Sequence, residues 1–183
     1  MVRFGKKLLH ALVLGLLGAG IVHIAILLLV PALSQRDAWS RVAAMSEPYN
    51  FLRLDRDRTG SLVAGSDPMF EGAVCRFNLD DGPVHVTARG DVPFWSVAVF
   101  DRRGRNVYSL TDRTASGAEP DIVVASAAQL IEMRKEMPAG FANAIFIESS
   151  LSDGLVVVRA FVPDPTWRPT VDRFLGGAAC AAT

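Results

Sequence analysis

Residues 8–30, LLHALVLGLLGAGIVHIAILLLV, hold no acidic or basic side chain apart from two histidines, His10 and His23. At 1.5 Å per residue, a helix over this stretch reaches across a ~30 Å hydrocarbon core. We read it as a transmembrane helix, which fixes the surroundings of all that follows. The competing reading is a secretory signal, since Ala32, Leu33 and Ser34 resemble a small-residue cleavage site and Arg3, Lys6 and Lys7 would form its basic head. The apolar core of such a signal runs only about 7 to 15 residues, so the length favours an uncleaved anchor. No acid accompanies Arg3, Lys6 and Lys7, whereas Arg36 and Arg41 beyond the helix have Asp37 and Glu47 beside them. That bias places the N-terminus in the cytoplasm and the rest outside, in the periplasm of a bacterium with two membranes.

Beyond the anchor lie roughly 150 residues, one domain's worth and enough to bury ~70% of the unfolded chain's surface. Three of the 19 Lys+Arg precede the helix, leaving 16 against 19 Asp+Glu. A mildly acidic module argues against nucleic acid as a partner. No basic run follows the helix directly to bind anionic lipid heads. The two cysteines, Cys75 and Cys180, both fall on the outward side, where thiol pairs oxidise, and a disulfide is expected between them. It would tie the C-terminus to an early strand, with the antiparallel sheet returning the last segment beside its first strand.

Within the anchor, Ala11, Gly15, Ala19 and His23 recur every four residues and share one face, broadened by Gly18. Such a small-residue stripe admits a second helix closely, and a histidine near mid-membrane is costly unless it finds a partner. Gly15, Ala19 and His23 are therefore the candidate helix-pairing residues.

Ser34 with Asp37 reads as a capping box for a short juxtamembrane helix that carries Ala38, Val42 and Met45 on one face and ends near Ser46. Trp39 falls at the level of an interfacial anchor or of a lid on the domain's core. Residues 47–68 read mainly as loop. Asp55 to Gly60 faintly echo a calcium loop, but Ser66 stands where a bidentate glutamate is required, so no metal is expected.

Three strand pairs follow, each with turn chemistry between its members: 73–79 and 84–89 about Asp80-Asp81-Gly82-Pro83, 94–100 and 106–110 about Asp101-Arg102-Arg103-Gly104, and 144–148 and 155–161 about 150–154. All three read as hairpins. Val156, Val157 and Val158 are continuously apolar, which puts the last pair nearest the sheet centre. Residues 122–125 form a further strand. Ser126 and Gln129 cap a helix with Leu130, Ile131, Met133 and Met137 on its apolar face, ended by Pro138-Ala139-Gly140. A last short helix spans 170–175 and stops at Gly176-Gly177.

The fold class expected is α+β: an N-terminal transmembrane helix followed by an antiparallel-sheet or β-sandwich domain with two or three short helices. Its divisions are 1–33 for the cytoplasmic N-terminus and anchor, 34–66 for the juxtamembrane helix and loop, and 67–183 for a periplasmic β domain.

Outside the membrane helix the sole histidine is His85, in an alternating strand, too little for a histidine metal cluster. It reads as a surface or packing residue. Lys135 is the outer domain's sole lysine and lies on the charged side of its helix, unlike a desolvated base. No Ser-x-x-Lys, Gly-x-Ser-x-Gly, CxxC or phosphate-cradling glycine loop is present, and no catalytic residue or cofactor is expected. Trp95, Tyr108 and Arg113 are the ligand-binding candidates, with Trp95 as the floor of an aromatic pocket.

The run from Phe94-Trp95-Ser96 to Asp101, then Asn106-Val107-Tyr108-Ser109, Asp112-Arg113, Arg159 to Pro163 and Trp167-Arg168-Pro169, resembles short bacterial envelope proteins of the family catalogued as domain of unknown function 1254. The resemblance covers about 67–180 and the anchor. It implies an inner-membrane protein, often encoded beside or fused to a companion domain of unknown function 1214, with no established activity and no catalytic residues to carry over. The function expected is a non-catalytic periplasmic interaction module of the cell envelope. The rival is a periplasmic domain that binds a small ligand or glycan, and an enzyme comes third.

Overall fold

The computed structural model describes residues 2–54, 67–115, 117–137 and 139–183. In chain order it contains α1 (Val2–Met45), β1 (Phe51–Arg53), β2 (Phe70–Asn78), β3 (Val84–Thr87), β4 (Trp95–Asp101), β5 (Asn106–Thr111), β6 (Asp121–Ala125), α2 (Ala127–Lys135), β7 (Ile145–Glu148), β8 (Asp153–Phe161), α3 (Arg168–Gly176) and β9 (Ala179–Ala182). Two sheets face each other, one in the order β1-β2-β8-β4-β5 and the other β7-β6-β3-β9.

Alternation along the strands builds the core. Ala73, Cys75 and Phe77 on β2, Trp95, Val97 and Val99 on β4, and Val156, Val158 and Ala160 on β8 meet Val84, Val86, Ile122 and Val124 of the second sheet. Val171, Phe174 and Leu175 of α3 join the same cluster. The unbroken apolar run on β8 has a simple cause, because this strand is central in its sheet and is covered on both faces. Val156 and Val158 face the sandwich, while Leu155 and Val157 pack with Trp39 and Val42 of α1.

The anchor and the expected juxtamembrane helix are one helix of 44 residues. A cap satisfies N–H groups orphaned at a helix start, and at residue 34 the helix is already running, so Ser34 and Asp37 have no end to cap. Its Gly5–Val30 portion is long and apolar enough to cross a membrane. β1 lies in the stretch read as loop, and three backbone pairs with β2 form it in spite of its weak pattern. The calcium-loop echo at 55–66 lies outside the described residues.

Of the three hairpins, only β4 with β5 is one. Gly104 takes φ 75° in its turn, and the register shifts at Val99 and Phe100. β2 and β3 belong to different sheets. The nine residues of β2 find in β8 a partner of equal length, which four-residue β3 could not supply. Between β2 and β3 the chain changes sheets through a 3-10 turn at Leu79–Asp81, opened by the Asn78 side chain accepting from the Asp80 amide. Gly82 follows at φ 138°, where a Cβ would collide with the Thr183 carbonyl.

β7 and β8 likewise part. β7 pairs in parallel with β6 through α2, so the second sheet is mixed rather than antiparallel throughout. The capping box of α2 is present, with Ser126 Oγ accepting from the Gln129 amide and Gln129 Oε1 from the Ser126 amide. Leu130 and Met133 cover Val123 and Ala125 on the outer face of the sheet. Ile131 and Met137 are exposed: Ile131 lies about 100° round the helix from Leu130, on the side away from Met133, and Met137 lies beyond the helix end at Lys135. Pro138 lies outside the described residues.

Cys75 and Cys180 are bonded, with their Cα atoms 6.6 Å apart. The C-terminal segment does not return beside the first strand, however. It forms β9 against β3, so the bond runs between the sheets.

Candidate functional site

The feature that sets this sandwich apart from a free domain is the seat of α1. Trp39 and Val42 lie buried against Val74 and Leu155 on the outer face of the five-stranded sheet, with Leu52, Leu54, Phe100 and Val157 around them. The Ser46 carbonyl accepts from Arg76 Nη2 at 3.3 Å, and the Tyr49 amide donates to the Arg76 carbonyl. The Tyr49 hydroxyl donates to the Asn78 carbonyl and to Asp81. Burial, then this carboxylate contact, push its ionisation up. The Arg102 guanidinium stands 5.7 Å over the Trp39 ring. Sequence reasoning left Trp39 between a membrane anchor and a lid, and the structure makes it a lid on the sheet's outer face. Arg102 and Arg76 carried no sequence signal, since their partners lie on distant segments.

Arg102 belongs to a turn organised by Asp101. This carboxylate is 4% exposed and accepts from the amides of Arg103 and Arg105, each at 2.8 Å, and from Arg105 Nε at 2.6 Å. Burial alone would raise its pKa, but the two amides and the guanidinium together hold it below the usual carboxylate range. The turn thus presents Arg102, Arg103 and Arg105 to solvent from a fixed base.

The ligand-binding candidates are placed apart. Trp95 is 1% exposed, and its Nε1 donates to the Ala118 carbonyl at 2.8 Å. Tyr108 is 40% exposed on β5, opposite Val99, about 13 Å along the ladder from Trp95. Arg113 is exposed just beyond the end of β5. A depression of about 320 Å³ is lined by Gly117, Ala118, Glu119, Asp121, Asn143 and Ile145, so Trp95 supports its rim from behind rather than flooring it. Beside it, His85 Nε2 meets Asp121 at 2.7 Å and the His85 ring stands edge-on to Phe141, which gives the imidazole a carboxylate rather than a nucleophile as its neighbour. Gly15, Ala19 and His23 are all exposed on α1, and a Cβ on Gly15 would meet nothing within 4 Å.

A family model described as "Protein of unknown function (DUF1254)" matches residues 72–181. The chain belongs to the DUF1254 family. The matched span runs from within β2 to within β9 and so takes in both bonded cysteines and strands of both sheets, with β1 outside it. Among solved structures, the VPA0106 protein from Vibrio parahaemolyticus is similar at 11% identity and TM-score 0.57, over 81% of this chain and 35% of that one. A putative uncharacterized protein from Burkholderia cenocepacia is similar at 14% identity and TM-score 0.44, over 63% of this chain and 32% of that one. The first likeness shows a shared fold. This DUF1254 chain spans about a third of the length of either structure. No curated protein matches it.

Proposed function

We propose that this DUF1254 protein is a non-catalytic interaction module of the bacterial cell envelope. Residues 8–30 anchor it in the inner membrane, with the N-terminus cytoplasmic and the sandwich periplasmic. The observation that carries the reading is the continuity of α1, whose apolar span runs without interruption into Trp39 and Val42 on the sheet. A helix docked in this way holds the domain at the membrane surface rather than on a flexible tether. The disulfide supports an oxidising compartment, and the basic head of α1 supports the orientation.

The partner to expect is an envelope protein carrying the companion domain of unknown function 1214, the association that the family resemblance implies. Crosslinking in intact membranes, followed by mass spectrometry, tests the reading. Recovery of crosslinks from the sandwich to such a protein supports it. A chain that alkaline carbonate strips from the membrane, or one that turns over a small molecule when purified, refutes it.

A further inference from the structure

The docked turns of α1 give the orientation of the sandwich on the bilayer. Ser46 meets Arg76 on β2, and Trp39 meets Arg102 at the β4–β5 turn. Between those contacts the helix crosses β8, the strand that separates β2 from β4. The seven residues from Trp39 to Ser46 rise ~10.5 Å, close to the ~9.6 Å of two strand spacings, so α1, traced from Ser46 to Trp39, advances across the strands from β2 toward the β4–β5 turn. Followed back toward its N-terminus, a helix continuing in that direction heads for β5, which lies one spacing beyond β4. From Trp39 back to Val30, the end of the apolar span, is ~13.5 Å. The headgroup layer outside the hydrocarbon core is itself ~5–8 Å deep. Of the strands of its sheet, β5 is the one held nearest the lipid.

This edge has the chemistry to meet it. β5 is the last strand of its sheet among the described residues, so no further strand lies along its outer edge there, and Asn106 to Ser109 are exposed, with Val107 and Tyr108 among them. Arg102, Arg103 and Arg105 precede the strand, and Arg113 follows it, all exposed. The nearby carboxylates are drawn inward or engaged: Asp101 is buried under Arg105, Asp112 is half-buried, and Asp153 lies 3.6 Å from Arg102. Arg102 and Arg105 already face Asp153 and Asp101, so what the edge offers outward beyond those pairs is Arg103, Arg113 and a phenol, groups that suit phosphates and the interfacial layer.

We propose that β5 and its arginine-bearing turn rest on the phosphate headgroups of an anionic bilayer, so that the sandwich lies edge-down on the membrane that anchors it. The proposal rests on the anchor reading above. The sequence has no basic run directly after the helix, and the fold draws this basic surface from residues more than fifty positions beyond Met45.

The test uses the full chain in nanodiscs of phosphatidylcholine alone or mixed with phosphatidylglycerol, with hydrogen exchange read over residues 102–113. Flotation on liposomes is measured in parallel. Exchange should slow at least about fivefold in the anionic discs, the gain expected from one arginine at an anionic surface. High salt and Arg103→Glu should each remove the protection, while Arg134→Glu on α2 should leave it in place. Equal exchange in both discs, or protection that Arg103→Glu does not touch, overturns the proposal while leaving the anchor intact. Protection in detergent that grows with protein concentration overturns it in favour of a second copy pairing along β5. A chain that fails to float overturns both readings.

Discussion

Cys75 and Cys180 join two strands that share no hydrogen bond: Cys75 on β2 lies opposite Val156 of its own sheet, and Cys180 on β9 lies opposite Val86 of the other. The bond therefore crosses the core, and it fixes the distance between the sheets at the edge where β9 ends the smaller one. It closes a loop of 105 residues, a length at which the loss of unfolded-state entropy is nominally ~4.7 kcal/mol.

The purified protein, unfolded in denaturant without reductant, should show no reactive thiol, and two after reduction. Replacing both cysteines by serine should lower the stability of the sandwich by about 2–5 kcal/mol, measured by denaturant titration. Free thiols in the unreduced protein would disprove the bond.

Asp101 should make the β4–β5 hairpin sensitive to acid. Its pKa is lowered in the folded state, so its contribution is in full force above the unfolded value of ~3.9 and fades as the pH falls through the folded one. Asp101→Asn keeps one acceptor but loses the charge, and should cost about 1–3 kcal/mol at neutral pH. Thermal melts from pH 7 downward should show the gap between wild type and variant closing below about pH 4. A constant gap would mean that the carboxylate is not the stabilising species.

Gly154 pairs with Phe77 on one side and Asp101 on the other, and a Cβ there would run into the Phe77 ring, which is buried in the core. Gly154→Ala should therefore cost about 1–3 kcal/mol through overpacking. Phe77→Leu in the same chain should recover part of that loss, and strict additivity in the double-mutant cycle would show that the two residues do not meet.

On the membrane side, we expect α1 to pair with another transmembrane helix along Gly15, Ala19 and His23. Gly15→Leu with His23→Leu should abolish detergent-resistant association seen by crosslinking, while the melting of the sandwich stays unchanged. Association that survives both changes would remove this stripe from consideration.

The sequence by itself determined the features whose causes are local. The apolar length of α1 follows from 8–30, the cap of α2 from Ser126 and Gln129 three residues apart, and the β4–β5 hairpin from a turn ending in a glycine that takes positive φ. The centrality of β8 was legible, because three consecutive valines need cover on both faces, but the same reading put β7 beside it, and β7 is an edge strand of the other sheet. The disulfide was legible too, since two cysteines allow one pairing.

Only the tertiary structure decided which strands share a sheet. β2 with β8 and β3 with β9 join segments some eighty to one hundred residues apart, and turn signals at Asp80 to Gly82 or Ser150 to Gly154 fit a change of sheet as well as a hairpin. The candidate residues followed the same division. Aromatic character alone could not tell that Trp95 would be sealed in the core and Trp39 laid on the outer face of a sheet, since the side-chain chemistry is the same and only the packing neighbours differ. The placing of Arg102 beside α1 also needed the tertiary structure, because the contacts of Trp39 with Arg102 and of Ser46 with Arg76 join segments far apart in the chain.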